Sequence, residues 1–208
     1  MRITLVRHGE TTGESSIRYY GATDVPLSAL GEEQMRRAGA ALAGERFDAV
    51  VSSRLQRARR GAVLVSRREP TQIAAFDEVN FGRWEGWTRE EIETRDADHY
   101  RIWQRDLDSF VYPEGECRQA FRRRVSAGFA QLLAEPPGEN LLLVVHRGVI
   151  AVILSDVLEL TPADRRTLEI DLGSIHVVER GAAGWRSDVL NRIDHLNDVA
   201  PQPAEARA

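Results

Sequence analysis

Arg7-His8-Gly9-Glu10 closes a short apolar stretch that begins at Ile3. Desolvating an arginine and a histidine at the mouth of a buried strand is costly unless they sit at a surface turn or face an anion. The pattern recurs twice. Ser52-Ser53 and then Arg57 follow the apolar run "FDAVV", and His146-Arg147-Gly148 follows "NLLLVV". Two arginines offer forked, permanently charged donors suited to a phosphate dianion. The amides of a helix starting after Ser53 add a favourable dipole. One neutral histidine can attack phosphorus and become a phosphohistidine. A second can donate to the phosphoryl oxygens as charge shifts in the transition state. An acid must still protonate the leaving oxygen. Glu78, in "DEVNFGRWEG", is well placed at a strand end, and Glu10 and Glu85 are rivals for the role.

Each of these residues alone has an ordinary reading, as a surface charge or a satisfied core histidine. A metal centre is a further alternative, since His8, His146 and a carboxylate could hold zinc. Arginines crowded around a cation would oppose it, and no short His-x-x-x-His spacing occurs, so no metal or other cofactor is expected.

The elements that must deliver these groups read as alternating strands and helices. Strands are expected at 3–6, 47–53, 71–76 (the weakest), 140–145 and two closing runs, "SIHVVER" and "WRSDVLN", paired across Gly181 and Gly184. Helices are expected from a Ser28 cap to about residue 44, over 54–67 and over 148–160, from apolar residues at helical spacing. This predicts an α/β fold of three layers, a mostly parallel sheet with helices on both faces. In such sheets ligands bind beyond the carboxyl ends of the strands, where the candidate residues lie. Residues of about 79–135 interrupt the alternation and are read as a helical insertion over that end. Trp84, Trp87, Tyr100 and Trp103 within it are read as its small core, the alternative being that one or two line the leaving-group pocket. Residues 1–199 are expected to form one domain and 200–208, "APQPAEARA" after Val199, a disordered tail.

Composition bounds the function. The 28 basic and 32 acidic residues of this 208-residue chain give a formal charge of −4, with nothing to mark a nucleic-acid or membrane binder. A single cysteine, Cys117, forbids an intrachain disulfide. With no signal-peptide pattern at Met1, a cytoplasmic protein is expected, as a monomer or a homodimer.

Six segments together resemble a known family. "RHGET" (7–11) resembles the signature of the histidine phosphatase superfamily, which includes cofactor-dependent phosphoglycerate mutase. "RYYGATDVPLS" (18–28), "SSRLQRA" (52–58), "EVNFGRWEG" (78–86), "PEGE" (113–116) and "VVHRGVI" (144–150) resemble further family segments, in family order. The resemblance implies that His8 is the nucleophile and His146 its partner. It implies that Arg7 and Arg57 grip the phosphoryl group, that Glu78 is the general acid, and that no metal is needed. Gly9, Glu10, Thr11, Tyr20 and Gly21 are expected to contact the substrate, a small phosphomonoester, with Arg147 as a cation at the pocket rim. Gly9 is expected to let backbone approach the phosphate.

The short chain resembles the phosphatase branch more than the mutases, whose phosphoenzyme must be shielded from water. "RYYGATDVPLS" and "LNRIDHLND" are similar to segments of α-ribazole phosphatases and broad-specificity phosphatases. A phosphate-binding module without turnover is the non-enzymatic alternative. The sequence departs from the family at Glu14 (often Asn), Gly61 (Thr), Cys117 (Ser), Arg147 (Gly) and Ala151 (Arg). Glu14 is expected to point away from a phosphate or to sit in an altered loop. Arg124, beside the apolar face of its helix, is read either as a buried, paired arginine or as one that snorkels to solvent.

Overall fold

The computed structural model describes residues 1–106 and 108–199. The expected tail at 200–208 lies outside them. In chain order the elements are β1 (Arg2–Arg7), α1 (Ala29–Ala41), β2 (Ala49–Ser52), α2 (Gln56–Ser66), β3 (Thr71–Gln72), α3 (Arg89–Arg95), α4 (Ala97–Arg105), α5 (Arg118–Ala134), β4 (Asn140–Val145), α6 (Arg147–Val157), α7 (Pro162–Thr167), β5 (Ile175–Gly181) and β6 (Gly184–Arg192).

β4 shows how sequence pattern becomes layers. It is apolar from Leu141 onward, and successive side chains of a strand point to opposite faces. Leu141, Leu143 and Val145 join a cluster with Ile3, Leu5, Phe121, Val125, Phe129, Ile150 and Ile153, beneath α5 and α6. Leu142 and Val144 join Val6, Val50, Met35, Ala38, Ala62 and Val65, beneath α1 and α2. The sheet order is β3-β2-β4-β1-β5-β6. The first four strands are parallel, and β5 and β6 add an antiparallel edge. The three-layer α/β reading holds, and the closing hairpin turns across Gly181 and Gly184 as expected.

Three local readings change. The expected 71–76 strand stops after Gln72, and Ala74–Phe76 forms a 3-10 turn that buries Phe76. α7 went unread because it buries no residue, although Thr161 and Asp164 form a capping box with Pro162 at the start. Within 79–135, α5 packs on α6 as a layer helix. Trp84, Tyr100 and Trp103 are buried with Phe110 and Tyr112, and Trp84 stacks on Phe110 at 5.3 Å. They are the core of this region, as read. Trp87 is half-buried, with the Arg95 guanidinium 5.4 Å above its ring. No described helix is long and apolar enough to cross a membrane.

Candidate active site

β1 and β4 are adjacent and parallel, with Arg7 opposite Val145, so His8 and His146 leave the sheet side by side. Their ring centroids are 5.1 Å apart. Both are buried, at 4 % and 0 % exposure. His8 Nδ1 bonds the Gly9 carbonyl oxygen at 2.8 Å. A carbonyl only accepts, so the neutral ring carries its proton on Nδ1 and its lone pair on Nε2. Burial, then Arg57 and Arg7, holds the His8 pKa well below its ordinary value of 6.5. His146 is lowered in the same way by burial, then by Arg57, His8 and Arg7. His146 ends β4 in extended conformation and precedes the first turn of α6. Its Nε2 lies 2.7 Å from Ser53 Oγ, which also accepts from the Leu55 amide. The sequence analysis named Ser53 at the end of the second strand but gave its side chain no role, and its hydroxyl is a direct contact of His146.

Arg57, fully buried, lies in the first turn of α2. Its Nη1 donates to Thr23 O at 2.9 Å, and its Nη2 to Gly21 O at 2.7 Å and Tyr20 O at 3.2 Å. Arg7 Nη1 donates to Ile170 O at 2.8 Å. Burial first, then Arg147, lowers the Arg7 pKa to about 10, against the pull of Glu78, Asp171 and Glu10. Among the described residues, Arg7 Nε, Arg57 Nε and His146 Nδ1 are buried without a protein partner. Unpaired buried polar groups are costly, and these lie among two histidines whose pKa values both arginines lower.

The rival acids differ in what their oxygens already hold. A carboxylate has about four lone-pair sites. Glu10 Oε1 accepts from the Thr11 amide, Ser15 Oγ and the Ser16 amide, and Oε2 from the Ser16 amide. Glu85 Oε1 accepts from the amides of Gly21, Ala22 and Phe81, and Oε2 from those of Gly21 and Thr23. Glu78 accepts one bond on each oxygen, from the Val79 amide at 3.0 Å and the Gly148 amide at 2.9 Å. A Cβ at Gly148 would sit 2.4 Å from Glu78 Oε1, so this approach of acid to helix requires glycine.

Arg124 is the paired arginine. It donates to both carboxylate oxygens of Glu116 and to the carbonyls of Ala75, Asp77 and Glu78. It thereby fixes the backbone that carries Glu78.

The remaining residues singled out for substrate contact are placed as follows. Tyr20 and Gly21 meet Arg57 through their carbonyls. Thr11 bridges to Leu27, its hydroxyl buried. Arg147 begins α6 half-buried, in the fields of Tyr19, Glu78, Arg118 and Asp171. The close approach that Gly9 permits is to α1, because a Cβ there would meet Gly31 O at 2.4 Å. Glu14 points outward and pairs with Arg18 at 3.4 Å, from a left-handed backbone with φ of 61°. Asparagine tolerates that conformation better than glutamate does.

Comparisons with known proteins agree along nearly the whole chain. A family model described as the histidine phosphatase superfamily, branch 1, matches residues 3–193. An adenosylcobalamin/α-ribazole phosphatase of Escherichia coli (strain K12) is 36 % identical over 158 residues, covering 74 % of this chain and 78 % of that protein. Among solved structures, an α-ribazole phosphatase from Shigella flexneri superposes with a TM-score of 0.83 at 31 % identity, covering 92 % of this chain and 96 % of the other. A mycobacterial glucosyl-3-phosphoglycerate phosphatase complexed with VO3 superposes with a TM-score of 0.79 at 30 % identity, covering 92 % and 99 %.

Proposed function

The chain belongs to the histidine phosphatase superfamily, and on that premise we propose that it hydrolyses small phosphomonoesters through a phosphohistidine. The observation that carries this reading is the pair of buried, unpartnered donors Arg7 Nε and Arg57 Nε, with the unpartnered His146 Nδ1, around a His8 held neutral with its lone pair on Nε2. A phosphoryl group satisfies those donors and meets that lone pair.

In the first step His8 Nε2 forms the N–P bond as the P–O bond to the leaving group breaks. Glu78 gives its proton to the departing oxygen. Arg7 and Arg57 stabilise the charge gathering on the phosphoryl oxygens. In our assignment Ser53 donates to His146 Nε2, so His146 Nδ1 carries a proton toward the same oxygens. In the second step water attacks phosphorus, Glu78 takes its proton, and the N–P bond breaks. Arginines and histidines supply the whole positive field, so no metal takes part.

A cleft of about 490 Å³ lies against Glu78, its charged lining being Asp24, Asp77, Glu78 and Glu116 with Arg54 and Arg124. Its surplus of carboxylates suits an uncharged, hydroxylated leaving group better than a second anion. Broad phosphomonoesterase activity is the first reading. The α-ribazole phosphatase relatives and this cleft favour α-ribazole 5′-phosphate as a second. One cysteine in the chain suits a reducing compartment, and we place the enzyme in the cytoplasm.

The test is turnover of p-nitrophenyl phosphate, a nucleoside 5′-monophosphate, α-ribazole 5′-phosphate and 3-phosphoglycerate, with and without EDTA. The expected result is hydrolysis of the first three in preference to the last, unchanged by EDTA and inhibited by vanadate. Loss on chelation, restored by zinc or magnesium, would overturn the metal-free mechanism. No turnover of any ester would leave a binding module.

A further inference from the structure

Glu85 was a rival for the acid role, yet its carboxylate is filled by backbone amides of residues 21–23 and by Phe81. The other ends of the same peptide groups face Arg57. The Tyr20–Gly21 peptide gives its N–H to Glu85 and its C=O to Arg57 Nη2. The Gly21–Ala22 peptide does the same, with its N–H on Glu85 at 2.9 Å and its C=O on Arg57 Nη2 at 2.7 Å. Thr23 spans the pair as well, N–H to Glu85 and C=O to Arg57 Nη1. Two peptide dipoles thus stand side by side between a carboxylate and a guanidinium, each charge at the end that favours it. Gly21 makes this possible, because a Cβ there would lie 1.7 Å from Val79 O and 2.8 Å from Glu85 Oε1. Glu85 also counters the burial that lowers the Arg57 pKa.

We infer that Glu85 is a positioning residue for Arg57, acting through the 20–23 loop. It sets the tilt of the guanidinium so that the Nε–H and the remaining Nη1–H face the phosphoryl site. This inference rests on the reading of Arg57 as a phosphoryl ligand, and its failure is separable from failure of that reading.

Three loop amides, those of Gly21, Ala22 and Thr23, donate to the Glu85 carboxylate together with the Phe81 amide, and Glu85→Gln turns an NH₂ toward amides that need an acceptor. A misplacement of about 1 Å at a reacting centre can cost about 10²-fold in rate. We therefore expect Glu85→Gln to lower kcat/KM by about 10- to 100-fold and to weaken vanadate inhibition in proportion. Arg57→Ala should lower kcat/KM by at least about 10²-fold, as loss of one oxyanion donor does. In the Arg57→Ala background Glu85→Gln should change neither quantity further, because its only route to the phosphoryl group is gone. Glu85→Asp keeps the charge with a shorter reach and should give an intermediate loss with the same non-additivity, which covers the case in which the glutamine variant does not fold. Losses that multiply in the double variant, or near-normal kinetics in the folded Glu85 variants beside a crippled Arg57→Ala, would overturn the inference. Near-normal kinetics in Arg57→Ala itself would instead remove Arg57 from the site.

Discussion

Three glutamates stood as candidate acids on sequence grounds, and they part on a simple criterion, the number of hydrogen bonds each already accepts. Glu10 accepts from three donors and Glu85 from four, whereas Glu78 accepts a single bond on each oxygen while touching the first turn after His146. Residue type and strand-end placement could not separate them, because what separates them is backbone from distant segments. The convergence of Arg7, His8, Arg57 and His146 on one end of the sheet was legible, since each comes just after an apolar strand. Glu14 was legible only as a departure, and its explanation lies in a backbone angle. The assignment of Glu78 predicts a leaving-group effect. Glu78→Gln retains the nucleophile but has no proton to give, so it should slow phosphorylation by alkyl phosphates far more than by p-nitrophenyl phosphate, whose phenolate leaves without protonation. Rapid-quench phosphorylation rates on the two ester types check this, and equal defects would remove Glu78 as the acid.

The secondary elements matter here as the means of holding those groups still. β1 and β4 were readable because both are continuous apolar runs, and α1 and α2 because their apolar residues recur at helical spacing. α7 and the end of β3 were not, since neither buries an apolar face that would print a period in the sequence. The role of α5 was half readable. Its apolar residues marked a helix, but only the structure shows that Arg124 reaches from it to three carbonyls of 75–78 and to Glu116. Arg124→Met fills similar volume yet strands the Glu116 carboxylate and those carbonyls. Breaking a buried pair costs about 3–5 kcal/mol. The Arg124 side chain is 30 % exposed, so about 2–3 kcal/mol is expected, read as a lower urea midpoint. Activity should fall as well, through displacement of Glu78, and unchanged stability would show that the pair is incidental.

The molecule as a whole holds its buried histidines neutral, and that shapes its response to acid. His176 lies under the sheet edge, bonded to Ser174 Oγ and to the Asn191 amide, and burial lowers its pKa to about 4. His8 and His146 are lowered too. Each takes up a proton near its ordinary value once unfolded, so the stability they confer is fully present above about pH 6.5. It is lost as pH falls from there toward the folded value, about 4 for His176. At that point His176 alone accounts for about 3 kcal/mol at 1.36 kcal/mol per unit. Urea midpoints at pH 7 and pH 5 should converge in His176→Gln relative to the parent, and an unchanged gap would contradict the neutral assignment. The strand order as a whole brings the His8 and His146 rings together at the carboxyl edge of the sheet, where we propose that His8 meets a phosphoryl group. The most direct measurement is rapid-quench labelling with a phosphorylated substrate in the parent, Glu78→Gln and His8→Ala proteins. The expected result is a covalent label that survives alkali and is lost in acid, that accumulates in Glu78→Gln as water loses its base, and that is absent from His8→Ala. A label persisting in folded His8→Ala, or turnover there at the parent rate, would contradict it.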